Sequence, residues 1–141
     1  MPKTANRHRG RADPVKVVVA PDKFAGTLTA SEAAVSIAEG WQQRRPTDRL
    51  VRLPMSDGGP GFVEAVQAAL GGEISVVAAT GPHGDPVVAR LLYVSQRIPT
   101  AYIEAADCCG LHLAANPRRP VETTTEGLAV LLRAAISLPV G

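Results

Sequence analysis

The first strongly patterned segment is a β-branched run, Val15-Lys16-Val17-Val18-Val19-Ala20, in which nearly every position is apolar. Such a run predicts a short strand buried on both faces. Pro21 to Leu28 interrupts the pattern, and Thr29 with Glu32 then has capping-box spacing, the signature of a helix N-terminus. Ala33, Ala34, Ile37, Ala38 and Trp41 follow at helical spacing, and the helix should close near Arg44–Arg45, before Pro46. Leu50-Val51-Arg52-Leu53 predicts a second strand. A glycine-rich loop runs from Pro54 to Gly61, with Pro60 placed as the first helical residue. Phe62, Val63, Val66, Ala69 and Leu70 form the apolar face of that helix, and Gly71-Gly72 ends it.

Beyond Gly72 the texture changes. Glu73 to Ala79 alternates weakly, Thr80 to Pro86 is rich in turn residues, and Val87–Val94 and Ala101–Ala105 read as two more strands. This is hairpin texture. A polar loop, Asn116-Pro117-Arg118-Arg119-Pro120, leads to a last helix over Thr123–Ser137, with Leu128, Leu131, Leu132, Ala135 and Ile136 as its apolar positions. The chain therefore divides into a tail over 1–14, a strand–helix unit over 15–72 and a second unit over 73–141.

Composition adjusts this picture only slightly. Hydrophobic residues make up 45% of the 141 and charged residues 20%, values of a globular chain, neither disordered nor membrane-like. Aromatics are scarce at 4%, so the core must be built from Val, Leu, Ile and Ala, which suits an α/β sheet with helices packed on it. The net charge of +2 owes much to Lys3, Arg7, Arg9 and Arg11. That tail has no aromatics and no apolar face, so it reads as a solvated, disordered terminus rather than an arm for nucleic acid or membrane. The adjacent Cys108 and Cys109 fit neither a disulfide nor a metal motif and are read as reduced thiols. With no apolar run of membrane-spanning length and no hydrophobic signal segment, the expected location is cytoplasmic.

Chemistry concentrates in the loops. Asp22, Lys23, Gly26 and Thr27 follow the first strand and open onto a helix N-terminus. Ligands of α/β sheets gather at the carboxyl ends of strands. Free N–H groups and the helix dipole favour an anion there, and a lysine adds a point charge. The spacing is not that of a Walker A loop, and an ordinary turn with an exposed lysine has the same composition. The second loop, Met55-Ser56-Asp57-Gly58-Gly59-Pro60-Gly61, is sharper. Its three glycines exceed what a helix cap needs and allow backbone to approach a ligand. Asp57 could orient a hydroxyl, accept its proton or hold Mg²⁺; the alternative is an N-cap aspartate. Glu104, at a strand end, is a site carboxylate or an edge charge. Thr123-Thr124-Thr125-Glu126-Gly127 begins the last helix, as an anion site or as simple capping, and capping is preferred on pattern. His8, His83 and His112 are too scattered for a metal site or a triad. His83 suits a solvated turn and His112 a packed position.

Taken together, four segments resemble the bacterial-type glycerate kinases. They are Ala20-Pro21-Asp22-Lys23-Phe24-Ala25-Gly26-Thr27-Leu28-Thr29-Ala30, Pro54 through Ala65, Glu104-Ala105-Ala106 with Gly110-Leu111-His112-Leu113, and Asn116-Pro117 with Thr123-Thr124-Thr125 and Gly127. The resemblance runs from Val15 to about Ala135. It implies ATP-dependent phosphorylation of D-glycerate with Mg²⁺, and a partial flavodoxin- or Rossmann-like parallel sheet followed by the start of a second, inserted α/β unit. On that footing Lys23 and Asp57 are the catalytic candidates. Asp22, Gly26, Thr27, Ser56, Gly58, Gly59, Gly61, Glu104, Thr124, Thr125 and Gly127 are candidates for binding substrate or phosphate. The family pattern usually has lysine where Ala25 stands, glutamate at Pro60 and often a glycine near Ala129. Family members are more than twice as long, so the chain is expected to be an N-terminal portion. It would then act with a second polypeptide supplying the remainder, or be an inactive remnant that at most binds an anion or a partner.

Overall fold

A computed structural model describes residues 13–114 and 120–139; the basic tail and the Asn116-Pro117 loop fall outside this range, apart from Asp13, Pro14 and Pro120. The described chain forms two sheets. Strand β1 (Lys16–Val19) pairs in parallel with β2 (Arg49–Arg52), in register from Lys16 opposite Arg49 to Val19 opposite Arg52. Helix α1 (Ala30–Arg44) connects them, as parallel pairing requires. The capping box is present: Thr29 Oγ1 accepts from the Glu32 N–H at 3.2 Å, and the Thr29 N–H donates to Glu32 Oε2 at 2.8 Å. Ala33, Ala34 and Ala38 form the buried face of α1, while Ile37 and Trp41 are exposed. β1 departs from the expectation of burial on both faces, since Val18 is 53% exposed. The pair is only two strands wide, and α1 does not cover Val18.

The second sheet is an antiparallel meander of β3 (Glu73–Thr80), β4 (Pro86–Val94) and β5 (Thr100–Ile103). Gly84, at φ +87°, and the Gly81 N–H to Asp85 carbonyl bond close the β3–β4 turn. Alternation along the strands sorts two cores. Ile74, Leu92, Val94 and Tyr102 pack with Phe62, Val63 and Val66 of α2 (Phe62–Leu70). Val77, Ala79, Val87, Ala89 and Ile103 face the other way, toward Cys108 and Cys109 of α3 (Ala106–Cys109) and Leu128 and Leu131 of α4 (Glu126–Ile136). With helices on both faces, β4 carries a nearly continuous apolar sequence. By packing, α2 therefore joins the antiparallel sheet, although it follows β2 in the chain.

Two local expectations need correcting. Pro60 is not the first residue of α2. Gly61, at φ +95°, precedes Phe62 in a left-handed conformation that suits glycine. His112 is not packed inside; it is exposed in a short 3-10 turn, Leu111–Leu113.

Asp48 holds the α1–β2 corner. Its buried carboxylate accepts from the Val15 N–H at 3.2 Å, Trp41 Nε1 at 2.9 Å, and Arg45 Nε and Nη2, each at 3.1 Å. Arg45 first, then Trp41, depresses its pKa to about 2. A carboxylate depressed on folding stabilises the fold fully above its unfolded value, roughly 3.9, and loses that contribution as the pH falls toward the folded value. Asp48→Asn should therefore lower the thermal midpoint by several degrees at neutral pH. It should also flatten the loss of stability between about pH 4 and pH 2. An unchanged acid-unfolding profile would remove Asp48 from this role.

Candidate functional site

Parallel pairing brings the carboxyl ends of β1 and β2 to the same edge, so the loops that follow them lie side by side. Pairing continues past the strands: the Leu53 N–H donates to the Val19 carbonyl at 2.8 Å and the Met55 N–H to the Pro21 carbonyl at 2.9 Å. The first loop folds back through a Phe24–Leu28 bridge, with Gly26 at φ +79° at its tip and the Thr27 hydroxyl donating to the Phe24 carbonyl at 2.9 Å. Between the loops opens a cleft of about 390 Å³. The stretch from Asp22 to Glu32 forms one wall, and Ser56, Pro60, Gly61, Glu64 and Arg90 contribute to the other.

Lys23 lines this cleft and pairs with Asp57 of the second loop, which flanks the cleft without lining it. Lys23 Nζ lies 3.2 Å from Asp57 Oδ1 and 3.9 Å from Asp22 Oδ1. Asp57 Oδ1 also accepts the Gly59 N–H at 2.9 Å, and Ser56 Oγ accepts the Gly58 N–H at 3.2 Å. The Gly59 amide, and secondarily Lys23, hold the Asp57 carboxyl below its ordinary value. It is thus ionised at neutral pH and a weak proton acceptor. Gly59 is needed for space: a Cβ there would lie 2.9 Å from Asp57 Oδ1 and 3.2 Å from Lys23 Nζ. Among the described residues no group of three His, Cys, Asp or Glu side chains is placed to hold a metal. Asp57 could supply one carboxylate to Mg²⁺, an ion that commonly takes one or two protein carboxylates and completes its shell with phosphate oxygens and water.

Glu104 lies beneath the cleft and does not line it. It is fully buried, and Oε1 accepts the Gly61 N–H at 2.9 Å while Oε2 accepts the Val63 N–H at 3.0 Å. A carboxylate from β5's end thus caps α2, whose own N-cap residue, Gly61, has no side chain to do so. Arg90 Nη2 neutralises it at 2.8 Å. Asp107 grips the same guanidinium at Nε (2.8 Å) and Nη2 (2.7 Å), and Glu64 pairs with Nη1. Asp107 foremost raises the Arg90 pKa further, so the guanidinium stays charged.

Thr124, Thr125 and Gly127 stand elsewhere. The Thr124 N–H donates to the Pro82 carbonyl at 2.9 Å, its hydroxyl accepts the Glu126 N–H at 3.1 Å, and a Cβ on Gly127 would lie 1.9 Å from the Thr80 carbonyl oxygen. They dock α4 on the β3–β4 hairpin and do not line the cleft. Burial foremost raises the Cys108 thiol pKa, which leaves it a poor nucleophile. Arg90, Glu64 and Asp107 were not singled out in the sequence, although Arg90 had a signal: it is the one charged residue of the apolar run Val87–Val94.

The sequence pattern of the glycerate kinase family matches residues 17–140. The chain belongs to that family. It is 39% identical to a glycerate kinase of Bacillus subtilis and 39% identical to a glycerate 2-kinase of Escherichia coli, each alignment covering 86% of this chain and 32% of the relative. A Salmonella typhimurium LT2 protein whose crystal structure carries the name glycerate kinase 2 superposes with a TM-score of 0.69 at 36% identity, over 86% of this chain and 33% of that one. The chain thus spans about a third of the length of the curated relatives it matches. Ala25 and Pro60 both line the cleft.

The Glu104 cap is directly testable. Glu104→Gln keeps the shape but loses the charge. Amide exchange at Gly61 and Val63 should accelerate about tenfold, as expected for losing ~1.5 kcal/mol of charged hydrogen bonding. Unchanged exchange at both amides would show that the cap does not hold the loop.

Proposed function

We propose that the chain carries the phosphate- and substrate-binding loops of a glycerate kinase that transfers a phosphoryl group from ATP to D-glycerate. The observation that carries this reading is the Lys23–Asp57 pair, which joins two loops at the carboxyl ends of parallel strands beside a cleft that Lys23 lines, in a chain of this family. Phosphoryl transfer needs positioning and charge neutralisation more than covalent chemistry. Lys23 is suited to neutralising phosphate or carboxylate charge. Asp57, held ionised, is better suited to orienting the substrate hydroxyl or ligating Mg²⁺ than to removing a proton. When bound with ATP, Mg²⁺ would bridge phosphate oxygens and offset their charge. Gly26, Thr27, Ser56, Gly58, Gly59 and Gly61 shape the two loops around the ligand, and Asp22 steadies Lys23. On this reading Glu104 and the Thr124–Gly127 segment act through positioning, not contact. The name of the Escherichia coli relative favours the 2-hydroxyl as acceptor. On this reading the expected location is the cytoplasm, where ATP is available.

The test is D-glycerate-dependent ADP release. It is measured for the chain alone and for the chain co-expressed, as a second polypeptide, with the two-thirds of the Bacillus subtilis relative that it does not match. Turnover is expected at least in the second case. Asp57→Asn should lower kcat about a hundredfold, as expected for losing a positioning contact, and Gly59→Ala should lower it by displacing Asp57. Turnover in neither case would sink the kinase reading and leave an inactive anion- or partner-binding chain. Full activity of Asp57→Asn would remove Asp57 from the chemistry.

A further inference from the structure

Arg90 is held more firmly than a structural ion pair needs, and by an unequal set of partners. Its side chain is 27% exposed and lines the cleft. Three carboxylates surround it. Glu104 is fully buried and Asp107 nearly so, but Glu64 is 49% exposed. Glu104 and Asp107 fix Nε and Nη2, which leaves Nη1 directed to Glu64. Glu64 itself lines the cleft. Exposed ion pairs are worth little, about 0.2–1 kcal/mol, so Glu64 is the exchangeable partner and the other two are fixed.

From this arrangement we infer that Arg90 is the receptor for the carboxylate of the substrate, and that Glu64 occupies the receptor until the substrate displaces it. The inference rests on the glycerate reading of the cleft and adds the residue that recognises the acid end. The remaining nitrogen, Nη1, can give a charge-assisted hydrogen bond to a carboxylate, and a guanidinium already fixed by two partners pays little ordering entropy to bind a third. Charge selects the ligand class. Exchanging the Glu64 carboxylate for a ligand carboxylate keeps three carboxylates in contact with Arg90. A phosphate dianion would add one negative charge beside two fixed carboxylates, so the phosphoryl group is left to Lys23 on the opposite wall.

The experiment is calorimetric titration of the full chain with D-glycerate and, separately, with inorganic phosphate. Thermal midpoints are recorded to confirm folding. Glu64→Gln, an exposed near-isosteric change, should tighten D-glycerate binding by up to about fivefold, the full worth of an exposed pair. Arg90→Lys, which keeps the charge but loses the Nη1 donor held in place by Glu104 and Asp107, should weaken it about tenfold or more while leaving phosphate binding within about twofold. Unchanged or weakened D-glycerate binding by Glu64→Gln overturns the exchange. A folded Arg90→Lys that weakens phosphate and not D-glycerate overturns the carboxylate assignment. No D-glycerate binding by the unaltered chain overturns the glycerate reading itself, a result distinct from either variant outcome.

Discussion

A single buried carboxylate joins the two halves of this structure. Glu104 sits at the end of β5, in the antiparallel sheet, yet its oxygens cap α2 through the amides of Gly61 and Val63. Gly61 adopts a left-handed conformation and has no side chain to cap with, so the helix cannot finish its own N-terminus. Negative charge is favoured at a helix N-terminus, and Arg90 offsets the cost of burying it. Breaking such a pair by removing one partner is far costlier than never having had it. The loop from Ser56 to Gly61 is therefore positioned by a residue more than forty positions later in the chain, and the cleft exists in this form only when both sheets have folded.

The two sheets divide the work accordingly. The parallel pair contributes little core, with Val19 buried and Val15 and Val18 exposed. What it provides is geometry: two parallel strands deliver two loops to one edge. The antiparallel sheet provides rigidity, with helices on both faces and two clusters of buried side chains. Helix α2 belongs to both, following the glycine loop in sequence and packing on β4 in space. This explains why the change of texture at Gly72 does not coincide with a gap in the packing.

Much of this was legible in the sequence, and what was missed shares one cause. The α1 capping box, the βα loops and the hairpin texture after Gly72 all depend on residues a few positions apart, which local pattern reports well. The sequence names Lys23 and Asp57 in separate loops; their pairing is seen only in the structure, where two parallel strands end side by side. Pro60 misled because a proline at the first helical position is a local rule, whereas the start of α2 is fixed by Glu104 from a distance. Glu104 itself read equally as a site carboxylate or an edge charge, because nothing within ten residues reveals that it is buried. The Thr124–Gly127 segment reads as capping on pattern and as a binding segment only by resemblance; what its sequence does not reveal is the Thr80 carbonyl standing where a Gly127 side chain would be.

The same long-range wiring accounts for the electrostatic character of the cleft. Its two cations, Lys23 and Arg90, are each held by carboxylates, so neither is a free charge waiting in solvent. An arrangement of this kind gains less raw attraction for an anion than exposed lysines would, but it fixes where the positive charge lies before a ligand arrives. Fixed charges act without reorganisation at the moment they are needed, which is the condition under which electrostatic stabilisation is strongest. On the proposed reading, the buried anchors Glu104 and Asp107 serve the site without touching the ligand. They hold the guanidinium so that only its outermost, exchangeable contact is open to competition.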